Sequence, residues 1–192
     1  LGALLADDGV FVCETGYLLD TIRNGVFDNV YHEHISYHSV KPLRSFFRSR
    51  GLELFEVLRN DSKGGSIRCF FQRAGAERPV AASVGAALAE EEEAGIHTPA
   101  PYRALAELLD RTRAQHHSLL GGLRAQGKRV AGFGASHSVT TLVHHLELAP
   151  HLEFIVDDNP RKQDTFMPGV HLPVLHPQAL LERKADYAVI LP

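Results

Sequence analysis

The chain has 192 residues, a length that suits one domain or two small ones. Its formal net charge is −3 with histidine neutral, so it lacks the basic surface by which nucleic-acid-binding proteins hold phosphates, and we expect no nucleic-acid partner. No apolar run approaches the ~20 residues that a membrane-spanning helix needs, so we expect no membrane partner either.

The first part of the chain contains short apolar runs separated by turn residues. Residues 9–14 are almost continuously apolar and follow a turn, a pattern typical of a buried parallel strand. Apolar residues at helical spacing predict a helix over residues 40–50, which Gly51 is placed to end. Residues 52–58 and 66–72 predict two strands around a glycine turn, and therefore an antiparallel hairpin.

Two predicted helices and then alternating strands and helices make up the rest. The Ala- and Glu-rich residues 81–94 predict one helix, and the leucine stripe of residues 102–126 predicts a longer one. The remaining pattern predicts, in order, a strand and glycine turn over 128–136, a helix over 138–148, a strand over 152–156, a helix over 176–184 and a strand over 186–191. Strands that alternate with helices predict a small Rossmann-like parallel sheet, so the fold class is α/β.

Cysteine usage and the chain ends give two further expectations. Cys13 and Cys69 each lie in an apolar strand-like run, so we expect reduced, buried thiols and a cytoplasmic protein. The chain begins at Leu1 without an initiator methionine and closes just after an apolar run, so we expect a fragment cut at both ends.

A glycine turn follows the predicted strand at residues 128–133. Gly132, Gly134 and Ala135 would let the backbone approach a phosphate at the start of the next helix. The pattern is shorter than the dinucleotide fingerprint, because its third glycine position is His137. Asp157 ends the next predicted strand, where a ribose-binding carboxylate is expected. A tight turn without a ligand explains the pattern equally well.

The loop after this strand is rich in polar side chains. Asn159, Lys162 and Gln163 would suit a pyrophosphate near a helix N-terminus. A polar surface loop is the alternative, and composition alone favours it slightly.

The segment Tyr31-His32-Glu33-His34 concentrates ionisable side chains in four consecutive positions. Acid–base chemistry is one interpretation, with a histidine as base and a tyrosine as donor to an oxyanion. A turn satisfied by its own hydrogen bonds is an equal alternative. A zinc site that also used His38 is disfavoured, because the spacing does not match H-E-x-x-H and no cysteine is near, so we expect no metal in this chain.

With these motifs in order, the chain resembles the S-adenosylmethionine-dependent sugar C-methyltransferases, which act on nucleotide-linked 4-keto deoxysugars. The resemblance covers essentially the whole chain. Its two most specific stretches are Tyr31-His32-Glu33-His34 and Asn159-Pro160-Arg161-Lys162-Gln163. Further matches are residues 9–14, 64–68, 127–130 and 168–169.

The resemblance implies a division of the chain into three parts. Residues 1–75 would be the carboxy-terminal half of the methyltransferase Rossmann domain, including its antiparallel hairpin. Residues 76–126 would be linking helices, and residues 127–192 a Rossmann-like nucleotide-sugar-binding domain. The glycine loop for S-adenosylmethionine and a zinc-binding region would lie upstream, so we expect the cofactor site to be incomplete and this chain to be inactive alone.

The resemblance also implies roles for individual residues. His34 would remove the C3 proton next to the C4 ketone, and the enolate would take the methyl group. Tyr31 and Glu33 would orient the base and the sugar or stabilise the enolate. The nucleotide diphosphate would be bound by six residues: Gly132, Gly134, Ala135, Asn159, Lys162 and Gln163. Residues 136–140 depart from the family pattern.

Two other functions fit parts of the sequence. A non-catalytic nucleotide-sugar binding module would need only the motifs of residues 127–169. An NAD-dependent oxidoreductase could be built on the glycine turn, but the shortened glycine pattern and the lack of a following substrate domain argue against it.

Overall fold

The computed structural model describes residues 2–192, which form a mixed α/β protein with two compact units. The first unit comprises the residues up to Val26 together with Ser36–Leu105. The second comprises Phe27–Ile35 together with Ala106–Pro192. The α/β class is confirmed, and each unit has its own sheet and core.

The first unit contains an antiparallel sheet and three helices. Its elements are β1 (Phe11–Gly16), α1 (Leu18–Arg23), α2 (Val40–Arg48), β2 (Leu52–Asn60), β3 (Ser66–Arg73) and α3 (Ala82–Glu93). The predicted hairpin is confirmed, since β2 pairs antiparallel with β3. Helices α2 and α3 are confirmed as well, and Gly51 follows α2 with a positive φ of 75°.

Strand β1 corrects one prediction. It is not a buried parallel strand but an edge strand of the order β1-β3-β2, and it runs antiparallel to β3. Its side chains alternate between half-buried and exposed positions, and Val12 on the outer face is 46% exposed. Because valine occupies an outward position, the period of two that marks a one-sided strand was hidden in the sequence.

The core of the first unit lies between its sheet and helices. Seven of its side chains are at most 1% exposed: Tyr17, Leu19, Val40, Ile67, Cys69, Phe71 and Ile96. Helix α1 was not predicted, because six residues give too short a window for a helical period.

The second unit is a five-stranded sheet with helices. It contains β4 (Val130–Phe133), α5 (His137–His145), β5 (Ile155–Val156), β6 (Thr165–Phe166), β7 (Pro173–Leu175), α6 (Ala179–Glu182) and β8 (Tyr187–Ile190). Helix α4 (Ala100–Ala125) contains the boundary between the units in the chain. The strand order is β6-β7-β5-β4-β8, and every neighbouring pair except β6 with β7 is parallel. The Rossmann-like parallel sheet is therefore confirmed.

The buried strands of this sheet position the glycine turn and its neighbouring loop. Val130, Ala131, Ile155 and Val156 are at most 1% exposed, so the carboxyl ends of β4 and β5 are fixed by the core. Strand β6, in the region predicted as a loop, is only two residues long, which is below the reach of any sequence period. Within residues 2–192, no helix is both long and apolar enough to cross a membrane.

Candidate active site

The Tyr31–His34 segment is a turn that brings aromatic and imidazole rings together. The N–H of His34 donates to the carbonyl oxygen of Tyr31 at 2.9 Å. This closure places the two rings 4.7 Å apart between centroids, at an interplanar angle of 32°. The His32 ring meets the Tyr31 ring edge-on at 6.0 Å. The backbone turn and a ring cluster therefore coexist, and the two interpretations of this segment do not exclude each other.

Exposure separates the four side chains of this segment. Tyr31 and His34 are half-buried, whereas His32 and Glu33 are exposed. A fourth ring, that of His137 at the start of α5, lies 6.4 Å from the Tyr31 ring at an angle of 24°. Tyr31 is thus flanked by imidazoles from its own turn and from α5. Sequence reasoning noted His137 only as a departure from a glycine pattern.

Gly132 in β4 and Gly134 in the β4–α5 turn both lie close to neighbouring residues. A Cβ on Gly134 would lie 2.7 Å from the carbonyl oxygen of Leu191, and its φ of 106° disfavours other residues. A Cβ on Gly132 would lie 3.0 Å from the Ile155 side chain. Packing and backbone conformation therefore account for Gly134, whereas a Cβ at Gly132 would require the Ile155 side chain to shift by a few tenths of an ångström.

The four remaining candidate binding residues converge on Asp157. Its carboxylate accepts hydrogen bonds from the backbone N–H of Ala135 at 2.7 Å and of Asn159 at 2.8 Å, and from Lys162 Nζ at 3.1 Å. Gln163 Nε2 donates to the backbone oxygen of Asp157 at 3.0 Å. This carboxylate therefore ties the glycine turn to the loop after β5.

Asp157 is the residue of this site whose role the sequence concealed. Its position at the end of a strand suggested a contact with ribose, but its oxygens are engaged by protein donors. Burial favours the neutral carboxyl, yet the hydrogen bonds from Ala135 and Asn159 and the Lys162 ammonium hold the pKa of Asp157 below its ordinary value. The group is therefore an anion at neutral pH.

Lys162 keeps capacity for a further anion. Its ammonium has three donors, of which Asp157 takes one, and its side chain is 34% exposed. The turn begins helix α5, whose N-cap Ser136 accepts from the N–H of Val139 at 3.3 Å. A cation next to a helix N-terminus is chemically suited to a phosphate group.

The two cysteines belong to the first unit. Cys13 and Cys69 are direct neighbours across β1 and β3, and both are free thiols. Burial raises the pKa of the Cys69 thiol to about 12, so it is neutral and unreactive at physiological pH. Among residues 2–192, no three His, Cys, Asp or Glu side chains are grouped so as to hold a metal ion.

Comparison with known proteins agrees with this architecture. The family described as the C-methyltransferase C-terminal domain matches residues 61–192. C-methyltransferase NovU of Streptomyces niveus is 37% identical over 192 residues, which is all of this chain and 46% of that protein. The chain thus spans less than half the length of this relative. The chain belongs to the C-methyltransferase family, of which it is a carboxy-terminal part.

Proposed function

We propose that this chain is part of an S-adenosylmethionine-dependent C-methyltransferase that acts on a nucleotide-linked keto sugar through a C3 enolate. Family membership supports the transfer of a methyl group to carbon. The observation that carries the proposal within the chain is the 4.7 Å separation of the Tyr31 and His34 rings. This pair supplies a base and a phenol donor side by side.

His34 is the base of the proposed reaction. A ketone acidifies the hydrogen on the adjacent carbon, because the electron pair left behind delocalises onto the ketone oxygen. Imidazole is the side chain whose ordinary pKa is nearest neutral pH, so it is suited to accept this proton. In this step the C3–H bond breaks, the proton passes to an imidazole nitrogen, and the negative charge moves to the C4 oxygen.

Tyr31 stabilises the charge that this step creates. Its phenol can donate a hydrogen bond to the enolate oxygen, which carries more negative charge than the ketone did. Its ring packs against that of His34, so the donor and the base lie side by side. Glu33 lies two residues after Tyr31 in the same turn. Its side chain is exposed and can accept a hydrogen bond from a sugar hydroxyl.

The nucleotide diphosphate is assigned to the second unit. Gly132 lies near the end of β4, Gly134 and Ala135 form the turn that follows, and Lys162 supplies the positive charge beside it. Asn159 and Gln163 complete the loop. Asp157 holds this turn and loop in register, so the site is organised before the ligand arrives.

No residue of this chain is assigned to S-adenosylmethionine. The three strands of the first unit pair antiparallel, so residues 2–105 do not offer the glycine loop at the carboxyl end of a parallel strand that nucleotide cofactors use. When bound, this cofactor supplies the electrophilic methyl group. The residues of this chain carry out proton removal, charge stabilisation and substrate orientation.

Replacement of the base tests the proposal. In the full-length protein, His34→Ala should lower kcat for methyl transfer to a nucleoside-diphosphate-linked 4-keto deoxysugar by about 10²–10⁴-fold, the usual contribution of a general base. His176→Ala is the matched control, because His176 is an exposed histidine whose ring lies 3.8 Å from the Glu182 carboxylate, outside the proposed site. A His34→Ala enzyme that stays folded and keeps kcat within about threefold of wild type would remove His34 from the mechanism.

A binding measurement separates this enzyme from a non-catalytic nucleotide-sugar module. Calorimetry should show that His34→Ala retains nucleotide-sugar affinity while turnover is lost. A wild-type full-length protein that binds the nucleotide sugar but transfers no methyl group to it would favour the binding module instead.

A further inference from the structure

Helix α5 presents one row of side chains to residues 27–35. The row consists of positions 137, 141 and 145, which are four residues apart and therefore lie on one face of the helix. Each of these residues contacts the segment 27–35. The His145 ring lies 4.5 Å from the Phe27 ring, and the His137 ring lies 6.4 Å from the Tyr31 ring. Between them, Thr141 Oγ1 donates a hydrogen bond to the Val30 carbonyl oxygen at 2.8 Å.

The order of these contacts shows that the segment runs along the helix. As the chain proceeds from Phe27 to Tyr31, its partners move backwards along α5 from residue 145 to residue 137. The segment is therefore antiparallel to α5 and meets it at three successive turns. One accidental contact would not produce this register.

The other side of α5 prevents the row from turning away. Val139 and Val143 are fully buried in the core of the second unit, so the helix cannot rotate without exposing them. Ser136 caps the first turn, and the preceding glycine turn is tied down by Asp157. The row faces residues 27–35 from a rigid support.

We infer that Thr141 and His137 are positioning residues for the methyl transfer, and that α5 sets the place of the His34 base through them. The inference rests on the proposed function for its catalytic consequence. Thr141 holds the backbone just before Tyr31, and His137 packs on the ring whose other neighbour is His34. Loss of either contact frees the base without removing it.

Substitution of Thr141 in the full-length protein tests this role. Thr141→Val keeps the shape of the side chain but removes the donor to Val30. We expect kcat to fall about 10–100-fold, the effect of a misplaced catalytic group, with KM for the nucleotide sugar changed less than about threefold. Thr141→Ser keeps the hydroxyl and should restore kcat to within about threefold of wild type.

Thr140→Val is the matched control. Thr140 is the adjacent threonine of the same helix, about 100° around its axis from Thr141, and so lies outside the row. Equal losses of kcat in Thr140→Val and Thr141→Val would indicate general damage to α5 and overturn the inference. If Thr141→Val fails to fold by circular dichroism, His137→Ala takes its place, with His137→Phe as the variant that retains the ring contact and should retain kcat.

Hydrogen exchange gives a readout that does not depend on catalysis. Amides of residues 27–35 should exchange faster in Thr141→Val than in wild type and Thr140→Val, because the segment is no longer held. Unchanged exchange would overturn the positioning role even if kcat fell. Faster exchange with unchanged kcat would show that Thr141 holds residues 27–35 but would overturn the role of this contact in the reaction. Failure of the proposed function is distinguishable, since His34→Ala would then keep the kcat of the wild type.

Discussion

A buried carboxylate in the first unit, Glu91, should contribute a large share of that unit's stability. Glu91 is fully buried on α3 and accepts a hydrogen bond from the phenol of Tyr17 at 3.1 Å. It also accepts from the backbone N–H of Val40 at 2.5 Å and of Lys41 at 3.0 Å. Because Ser39 makes no side-chain cap, Glu91 supplies the cap of α2 from a distant part of the chain.

Replacement of this carboxylate leaves buried donors without an acceptor. Glu91→Ala would strand the Tyr17 phenol and the Val40 N–H, both in fully buried residues. An unsatisfied buried polar group costs about 1–3 kcal/mol, so we expect the free energy of unfolding to fall by about 2–6 kcal/mol. Glu91→Gln keeps one acceptor oxygen and should cost about half as much.

Urea unfolding followed by far-ultraviolet circular dichroism measures this loss, since the chain contains no tryptophan for fluorescence. Glu92→Gln is the control, because the Glu92 side chain is 74% exposed and pairs with Lys41 Nζ at 3.3 Å. An exposed ion pair of this kind contributes at most about 1 kcal/mol. Equal shifts of the unfolding midpoint in Glu91→Ala and Glu92→Gln would refute the capping role of Glu91.

Two further predictions concern the second unit. Asp157→Asn places an amide donor opposite either the Ala135 or the Asn159 N–H and should lower stability at neutral pH by about 1–3 kcal/mol in thermal unfolding. The pKa of Asp157 is lower in the folded than in the unfolded protein, so the stabilisation by its carboxylate is complete above about pH 4 and is lost as the pH falls further. The difference in stability between wild type and Asp157→Asn should therefore shrink in acid. A difference that stays constant with pH would contradict this role of the carboxylate. Gly134→Ala forces a Cβ to within 2.7 Å of the Leu191 carbonyl oxygen and should destabilise the unit by more than about 1 kcal/mol. The control Gly122→Ala, in α4 with no atom near the added Cβ, should stabilise it by about 0.5–1 kcal/mol, and a loss of similar size in both variants would refute the close-approach argument.

The sequence predicted elements whose signal is local. The long helix α4, the hairpin of β2 and β3, and the strand–glycine–helix unit at β4 and α5 each contain a period or a turn motif within a short window. Strand β1 was assigned the wrong direction because its direction depends on a partner strand far along the chain, where Phe71 pairs with Phe11. The pairing register of two distant strands therefore had to come from the structure.

The site was predicted in pieces, and the contacts that join the pieces were not. Tyr31 and His34 were recognised from residue type, but the hydrogen bond that docks their turn runs from Thr141 to Val30, across 111 positions of the chain. The acid at the end of β5 was visible as well. Its engagement by the Ala135 N–H depends on the parallel pairing of β4 with β5, which no local pattern encodes.

Under the proposed function, the arrangement of the second unit explains why these pieces belong together. The sugar of a nucleotide sugar is bonded directly to a diphosphate oxygen, so the reacting carbon lies close to the phosphates. Groups that bind the phosphates and the base that attacks the sugar must then be held at a fixed, short separation. Tyr31 meets α5 at His137, the first residue after the glycine turn and the cap at Ser136. The phosphate-binding turn and the catalytic ring cluster thus share one end of one helix, and the geometry of that helix end sets which sugar carbon reaches His34.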